Sequence, residues 1–416
     1  MRPCLRCQQR KSILLVTCLS CILFLVACGP SKTAPAASSA LLGCTIAHPL
    51  SAPITVSSHV QTMISLPGHP FKSVATVDGH WLFVSLDSLA TGAAGGIGVL
   101  HRDGSTLRLV RLIPLTQFAA GLALTHNGQL LLVANQVGVT FLDATKAETG
   151  TGHALLGTIQ DGTNPGTIEV VLTRDEQYAF ATDESQRTVS VIDVQRALTT
   201  GFQSDALVGH IPVDIAPVGM ALSPDNRLLY VTSEVSVEKQ SLLGPGSSQL
   251  PVGTLSVVDV QRAEHDPSYA LRSRVLAGCS PVRVVLSSSG NLAWVTARGS
   301  NTVLAFDTAR LLHDPTHALL ATAAVGTAPV GAILLDHDRV LAVANSNRFA
   351  NDQTPQTLTL LDTQHVLADH RAVLGTLRVG IFPRELDVSP DGQSLLLTNY
   401  GSNSLSIIDV ARLPKP

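Results

Sequence analysis

Four of the seven cysteines in this 416-residue chain fall into Cys4-x-x-Cys7 and Cys18-x-x-Cys21. That is the spacing of paired metal-ligand knuckles. The first pair sits among positive charges and the second inside an apolar run, both in a segment that reads as a leader, so neither is expected to hold zinc. Two His-Asp pairs also invite a catalytic reading, in His265-Asp266-Pro267-Ser268-Tyr269-Ala270-Leu271 and His313-Asp314-Pro315-Thr316-His317-Ala318-Leu319. Their near-identity at matched places argues for a structural turn, with Asp capping and Pro fixing the bend. There is no C-x-x-C-H for haem, no G-x-S-x-G and no P-loop. The fourteen histidines are scattered singly.

The first residues carry the most specific local signal. Arg2, Arg6, Arg10 and Lys11 precede an apolar stretch from Ile13 to Ala27, short for a membrane span and suited to a signal core. It ends in Leu25-Val26-Ala27-Cys28, followed by Gly29. These residues resemble the lipobox of bacterial lipoproteins. The resemblance implies cleavage after residue 27 and acylation of Cys28, hence anchoring by several acyl chains outside the cytoplasm. Gly29, in place of aspartate, leans toward the outer membrane or cell surface. Residues 28–45 are small, with Pro and Ser, and read as a flexible tether. Past Cys28, only Cys44 and Cys279 remain. They can form one disulfide in an oxidising compartment, although two separate thiols are the plainer expectation.

Composition narrows the partners. Charged residues are 14 % of the chain and the net charge is −3, with no basic block, so nucleic acid is not expected. Aromatics are only 4 %, and Val, Leu, Thr, Ser, Gly and Ala dominate, which suits short strands and tight turns.

A period near 50 residues organises everything after the tether. Each unit has an apolar strand, a turn such as Ser223-Pro224-Asp225-Asn226 or Ser389-Pro390-Asp391-Gly392, a second strand ending in V-T/A-N, and a third ending in Asp. The second strand closes at Leu86, Asn135, Asp183, Ser233, Ala297, Asn345 and Asn399. The third closes at Asp143, Asp193, Asp259, Asp307, Asp362 and Asp409, with His101 in the first copy. Four strand-length runs per unit, seven times, predict an all-β seven-bladed β-propeller of four-stranded antiparallel blades over residues 46–416. The last unit lacks a fourth strand, and the segment 59–70 resembles fourth strands, so the N-terminus is expected to close the ring.

The V-T-N endings, the SPDG turn and the run NYGSNSLSIIDV (399–410) resemble the YVTN family of β-propeller repeat proteins over roughly residues 59–412. The resemblance is specific for fold and leaves function open. First strands of a propeller line its channel, so Lys72, Gly121, Glu169, Gly219, Arg283, Gly331 and Glu385 are expected there. Asp183, Arg298, Asn345 and Asn399 are expected near its rim. These charges could hold a polar ligand or form a structural ion-pair network. The connections Ser88–Gly96, Val235–Gly253 and Arg348–Thr357 are expanded and mark the candidate binding face. The reading is an envelope-anchored, non-catalytic binding or scaffolding lipoprotein, monomeric, without a cofactor, meeting a protein, glycan or small ligand. The alternative is a lactonase-like hydrolase, in which Glu169, Asp183, Asn345 and Asn399 would offer oxygens to Ca²⁺ or another divalent ion.

Overall fold

The computed structural model describes residues 47–48, 55–104, 106–240, 251–348 and 356–416. Cys28 and Cys44 lie outside the described residues, as do the leader and residues 28–45. The propeller belongs to one compact unit, Ser39–Pro416.

Seven antiparallel four-stranded sheets follow one another along the chain. Blade 1 comprises Gly68–Ala75, Trp81–Leu89, Gly95–Asp103 and Thr106–Leu115. Blade 2 comprises Leu122–Leu124, Leu130–Asn135, Gly138–Asp143 and Leu155–Gln160. Blade 3 comprises Thr167–Leu172, Tyr178–Asp183, Thr188–Asp193 and Leu207–Pro212. Blade 4 comprises Ile215–Leu222, Leu228–Val235, Val252–Asp259 and Leu271–Cys279. Blade 5 comprises Pro281–Leu286, Leu292–Ala297, Thr302–Asp307 and Leu319–Ala324. Blade 6 comprises Pro329–Leu335, Val340–Asn345, Thr357–Asp362 and Val373–Arg378. Blade 7 comprises Pro383–Val388, Ser394–Asn399 and Ser404–Asp409, and takes Gln61–Ser65 as its fourth strand. That closing strand runs antiparallel to the third, from Gln61 opposite Ile408 to Ser65 opposite Ser404.

The second strands explain the ring. Leu131 and Val133 point into the cluster shared with blade 1, while Leu132 and Ala134 point into the one shared with blade 3. A strand apolar on both faces needs a neighbour on each side. Among the described residues each of the seven blade–blade boundaries has its own buried cluster, including the 7–1 boundary, where Leu396 and Leu405 meet Leu82, Val84 and Leu100.

The repeated polar letters also have structural work. The aspartate closing the third strand caps a short helix in the following connection: Asp143, Asp193, Asp259 and Asp307 each accept the N–H three residues on. Asp362 and Asp409 do likewise at Gln364 and Ala411. In the first-to-second-strand turns, the hydroxyl of Thr76, Thr125, Thr173, Ser223, Ser287 or Ser389 accepts the N–H five residues on. The fourth turn residue is left-handed throughout, as Gly79, Gly128, Glu176, Asn226, Gly290 or Gly392. The His-Asp-Pro segments are scaffold, with Pro267 and Pro315 opening 3₁₀ turns. Asp266 and Asp314 differ from expectation in one respect: they accept no backbone N–H there, and take the hydroxyls of Ser268 and Thr316 instead.

The threonine of V-T-N ties blades together. Thr296 Oγ1 accepts the N–H of Arg283 (3.0 Å) and donates to the carbonyl of Val330 in the next blade (2.7 Å). Thr398 accepts from Glu385 (3.0 Å) and donates to Phe71 (2.9 Å), which spans the seam of the ring. Replacing Thr398 with Val keeps the shape and strands both buried partners. The expected loss is about 1–3 kcal/mol, measured as a lower denaturant midpoint in chemical unfolding.

Candidate functional site

The structure brings Lys72, Glu169, Arg283 and Glu385 together. Lys72 Nζ lies 2.5 Å from Glu169 Oε1, and the guanidinium of Arg283 lies 3.8 Å from Glu169 Oε2 and pairs on its other side with Glu385. Arg283 also donates to the carbonyl of Val218 (2.6 Å). The four charges come from blades 1, 3, 5 and 7, and the equivalent places in blades 2, 4 and 6 are glycine. A Cβ on Gly121 would stand 2.7 Å from the Cα of Glu169, and one on Gly219 or Gly331 would strike the backbone of the following blade. The glycines let alternate first strands press against their neighbours, and the charged side chains fill the space that remains.

The rim residues fall differently. Asn345 and Asn399 are buried, as is Asp183, and each serves the hairpin of its own blade. Asn399 Nδ2 donates to Ser406 Oγ (2.9 Å) and its Oδ1 accepts the N–H of Gly380 (3.1 Å). Asn345 Nδ2 donates to Thr359 Oγ1 (2.8 Å). The correction has a simple cause: the side chain that closes a second strand points back across its own hairpin. Glu169 and Asp183 belong to blade 3, Asn345 to blade 6 and Asn399 to blade 7, and the oxygens of Glu169, Asp183 and Asn399 are engaged within the protein. Among the described residues no group of three or more His, Cys, Asp or Glu side chains is placed to hold a metal ion.

Asp183 stands where blades 2, 6 and 7 carry asparagine, and its chemistry changes accordingly. With no N–H to give, it accepts hydroxyls from Thr167 (2.9 Å) and Ser190 (2.5 Å). Ser190 Oγ also reaches Asp161, whose other oxygen lies 2.7 Å from His210 Nε2, and its single proton serves one of the two carboxylates at a time. Burial, followed by the charge of Asp161, pushes Asp183 up to about 7. Burial opposes ionisation of Asp161 as well, but hydrogen bonds from His210 and Ser190 prevail and hold it below the usual carboxylate value. The bond to Asp161 raises His210. This is not a nucleophilic triad, because the serine is buried and donates to carboxylates while the imidazole faces only Asp161.

Above the ionic ring the channel opens into a funnel of about 320 Å³, lined by fourth-to-first and second-to-third connections. Ile168, Val218, Val282 and Val330 form an apolar collar at its floor. Arg298 lines the wall, as the sequence suggested, with its guanidinium 2.6 Å from Glu234. Burial foremost raises Glu234 above its ordinary range despite that partner. Asp87 accepts the phenol of Tyr400 (2.5 Å). The sequence reading missed Phe71, Phe382, Tyr400 and Arg384, all funnel residues. A signal existed: stepping back one residue from each channel position gives Phe71, Ala120, Ile168, Val218, Val282, Val330 and Arg384, one charge in an otherwise apolar ring. Arg348, and Asp87 and Glu234 beside the other two expanded connections, line this funnel, while residues 241–250 and 349–355 lie outside the described residues.

Cys279 is disulfide-bonded, against the expectation of a separate thiol; Cys44 lies outside the described residues.

No protein-family model and no curated protein matches this sequence. Solved structures do. Hydrazine synthase of Kuenenia stuttgartiensis is similar over 86 % of this chain and 99 % of that one, at 17 % identity and a TM-score of 0.62. A chain of the mitotic checkpoint complex is similar over 88 % of this chain and 95 % of its own, at 12 % identity and 0.63. The Cps50 (Swd1) β-propeller domain of Myceliophteria thermophila is similar over 86 % and 100 %, at 12 % identity and 0.59. At these identities the likeness is one of fold.

The Asp161–Asp183–His210 cluster sets a pH dependence. Asp183 holds its proton to about pH 7 in the fold and releases it near 4 once unfolded, so its contribution to stability falls as pH rises through that window. The raised His210 adds a loss as pH passes its folded value. In Asp183→Asn, which restores the side chain of blades 2, 6 and 7, thermal midpoints measured from pH 5 to 8 should fall less steeply than in the wild type. Equal slopes would show that Asp183 does not carry the shared proton.

Proposed function

We propose that this protein is a lipid-anchored, extracytoplasmic binding module of the YVTN kind, whose propeller takes its ligand at the funnel and performs no chemistry on it. The observation that carries the reading is the funnel. It gathers charged and aromatic side chains at the end of the ring where the connections are longest, while the rest of the repeat is committed to scaffold. Its volume falls at the lower end of the roughly 300–1,000 Å³ of small-molecule sites. Propellers also serve as parts of larger assemblies, as the similarity to a chain of the mitotic checkpoint complex illustrates. The leader, the lipobox-like residues before Cys28 and the disulfide at Cys279 support an oxidising, extracytoplasmic location. The partners in this reading are a membrane, through Cys28, and a ligand of the monomeric propeller, with neither nucleic acid nor cofactor.

Two experiments test it. Cys28→Ser should move the protein from the membrane pellet to the soluble fraction on fractionation; unchanged retention would remove the anchor. Ser185 is exposed at the funnel wall, so Ser185→Trp should obstruct the mouth without touching the core. Small aromatic fragments that bind the full-length protein in mild detergent should lose most of their saturation-transfer signal in this variant. Signals that survive unchanged would place binding away from the funnel.

A further inference from the structure

Most of the charges around the funnel floor are matched within the protein. Glu169 and Glu385 are held by Lys72 and Arg283, Glu234 by Arg298, and Asp87 by Tyr400. Arg384 is half-buried in the funnel lining, yet no carboxylate among the described residues forms an ion pair with it, and its Nε is buried without a hydrogen-bond partner. Its guanidinium carbon lies over Phe71, 3.6 Å from the ring centroid, and 5.6 Å from the ring centroids of Phe382 and Tyr400. Stacking fixes the plane and leaves the donor edge of the fork to the cavity. The nearest acidic groups, Glu385 and Asp87, are already engaged, while Arg283 and Arg348 add positive charge. Burial, then the charge of Arg283, lowers Arg384 to about 10, still a cation at neutral pH.

We propose that Arg384 is an oxyanion-recognition site: it pairs with the carboxylate or phosphate of a small organic ligand whose flat apolar body lies along Phe382 and Tyr400. This names the ligand class for the funnel and rests on the reading that the funnel binds ligand. A planar fork on an aromatic face, in a water-poor recess, is the arrangement that makes bidentate pairing with an oxyanion strong and orientation-specific. The lone arginine in the collar then has a reason: the ligand completes the charge balance that the protein leaves open.

The test uses benzoate, phenyl phosphate, benzyl alcohol and benzylammonium on the full-length protein in mild detergent, followed by saturation-transfer NMR and thermal midpoint. Benzoate or phenyl phosphate should bind and raise the midpoint, and the tighter of the two assigns carboxylate or phosphoryl as the group recognised. Arg384→Met should weaken that binding about tenfold or more, the loss of a charge-assisted pair, and abolish the rise in midpoint. Arg384→Lys, which keeps the charge and loses the fork, should retain part of both, and answers the question if the Met variant does not fold. Three results would overturn the assignment: equal binding of benzyl alcohol or benzylammonium, benzoate binding unaffected in both Arg384 variants, or no binding of either anion. Charge-blind binding that Ser185→Trp abolishes would remove the anion site and keep the funnel; binding indifferent to Ser185→Trp would remove the funnel reading itself.

Discussion

No blade here can stand by itself, and that constraint governs the rest of the molecule. A four-stranded sheet whose second and third strands are apolar on both faces has too much surface to hide and only one way to hide it, between two copies of itself. Seven such sheets meet this demand only when the last finds the first. Pairing of Gln61–Ser65 with Ser404–Asp409 therefore does more than complete blade 7. It joins sequence-distant ends inside one sheet, so the cluster between blades 7 and 1 cannot open without breaking a ladder.

The axis shows the cost of so much regularity. First strands converge there, and a side chain at every channel position would crowd the centre. Glycine at blades 2, 4 and 6 relieves the crowding by letting backbone meet backbone. The places left over, in blades 1, 3, 5 and 7, carry Lys72, Glu169, Arg283 and Glu385, whose alternating signs make a chain of ion pairs. Seven is odd, so two side-chain-bearing positions must fall side by side, and they do so at the seam between blades 7 and 1. Phe71 and Arg384 stack across that same seam one residue away. The feature that breaks the symmetry of the funnel thus sits where the arithmetic of the ring already breaks it.

Much of this was legible in the sequence, and the limits were physical. Blade number, strand pairing and the closing strand followed from a period that each blade must repeat to bury its faces. Six of the seven third strands end at the expected aspartate, because that residue also caps a helix; in blade 1 the strand runs on from His101 to Asp103. The ionic ring was legible because one register locates all seven channel positions. Asn345, Asn399 and Asp183 were misplaced because a strand-end position gives no hint of which way its side chain turns, and here it turns inward to its own hairpin. The aromatic wall was missed for a different reason. Phe382 and Tyr400 flank Arg384 within blade 7, and only closure of the ring brings Phe71 of blade 1 onto it.

A repeat also makes its exceptions informative. Where a position serves the scaffold it is copied, as with the turn hydroxyls and the capping aspartates, and a departure must be compensated nearby. Asp183 is such a departure, and its surroundings compensate: Thr167 and Ser190 supply the protons that an asparagine would not need, and His210 neutralises the second carboxylate beside it. Arg384 is a departure of the opposite sort. Six of the seven collar positions are apolar, the seventh is a cation, and among the described residues no carboxylate pairs with it. A half-buried cation without an ion-pair partner among the described residues, at the open end of the channel, is balanced most economically from outside the chain.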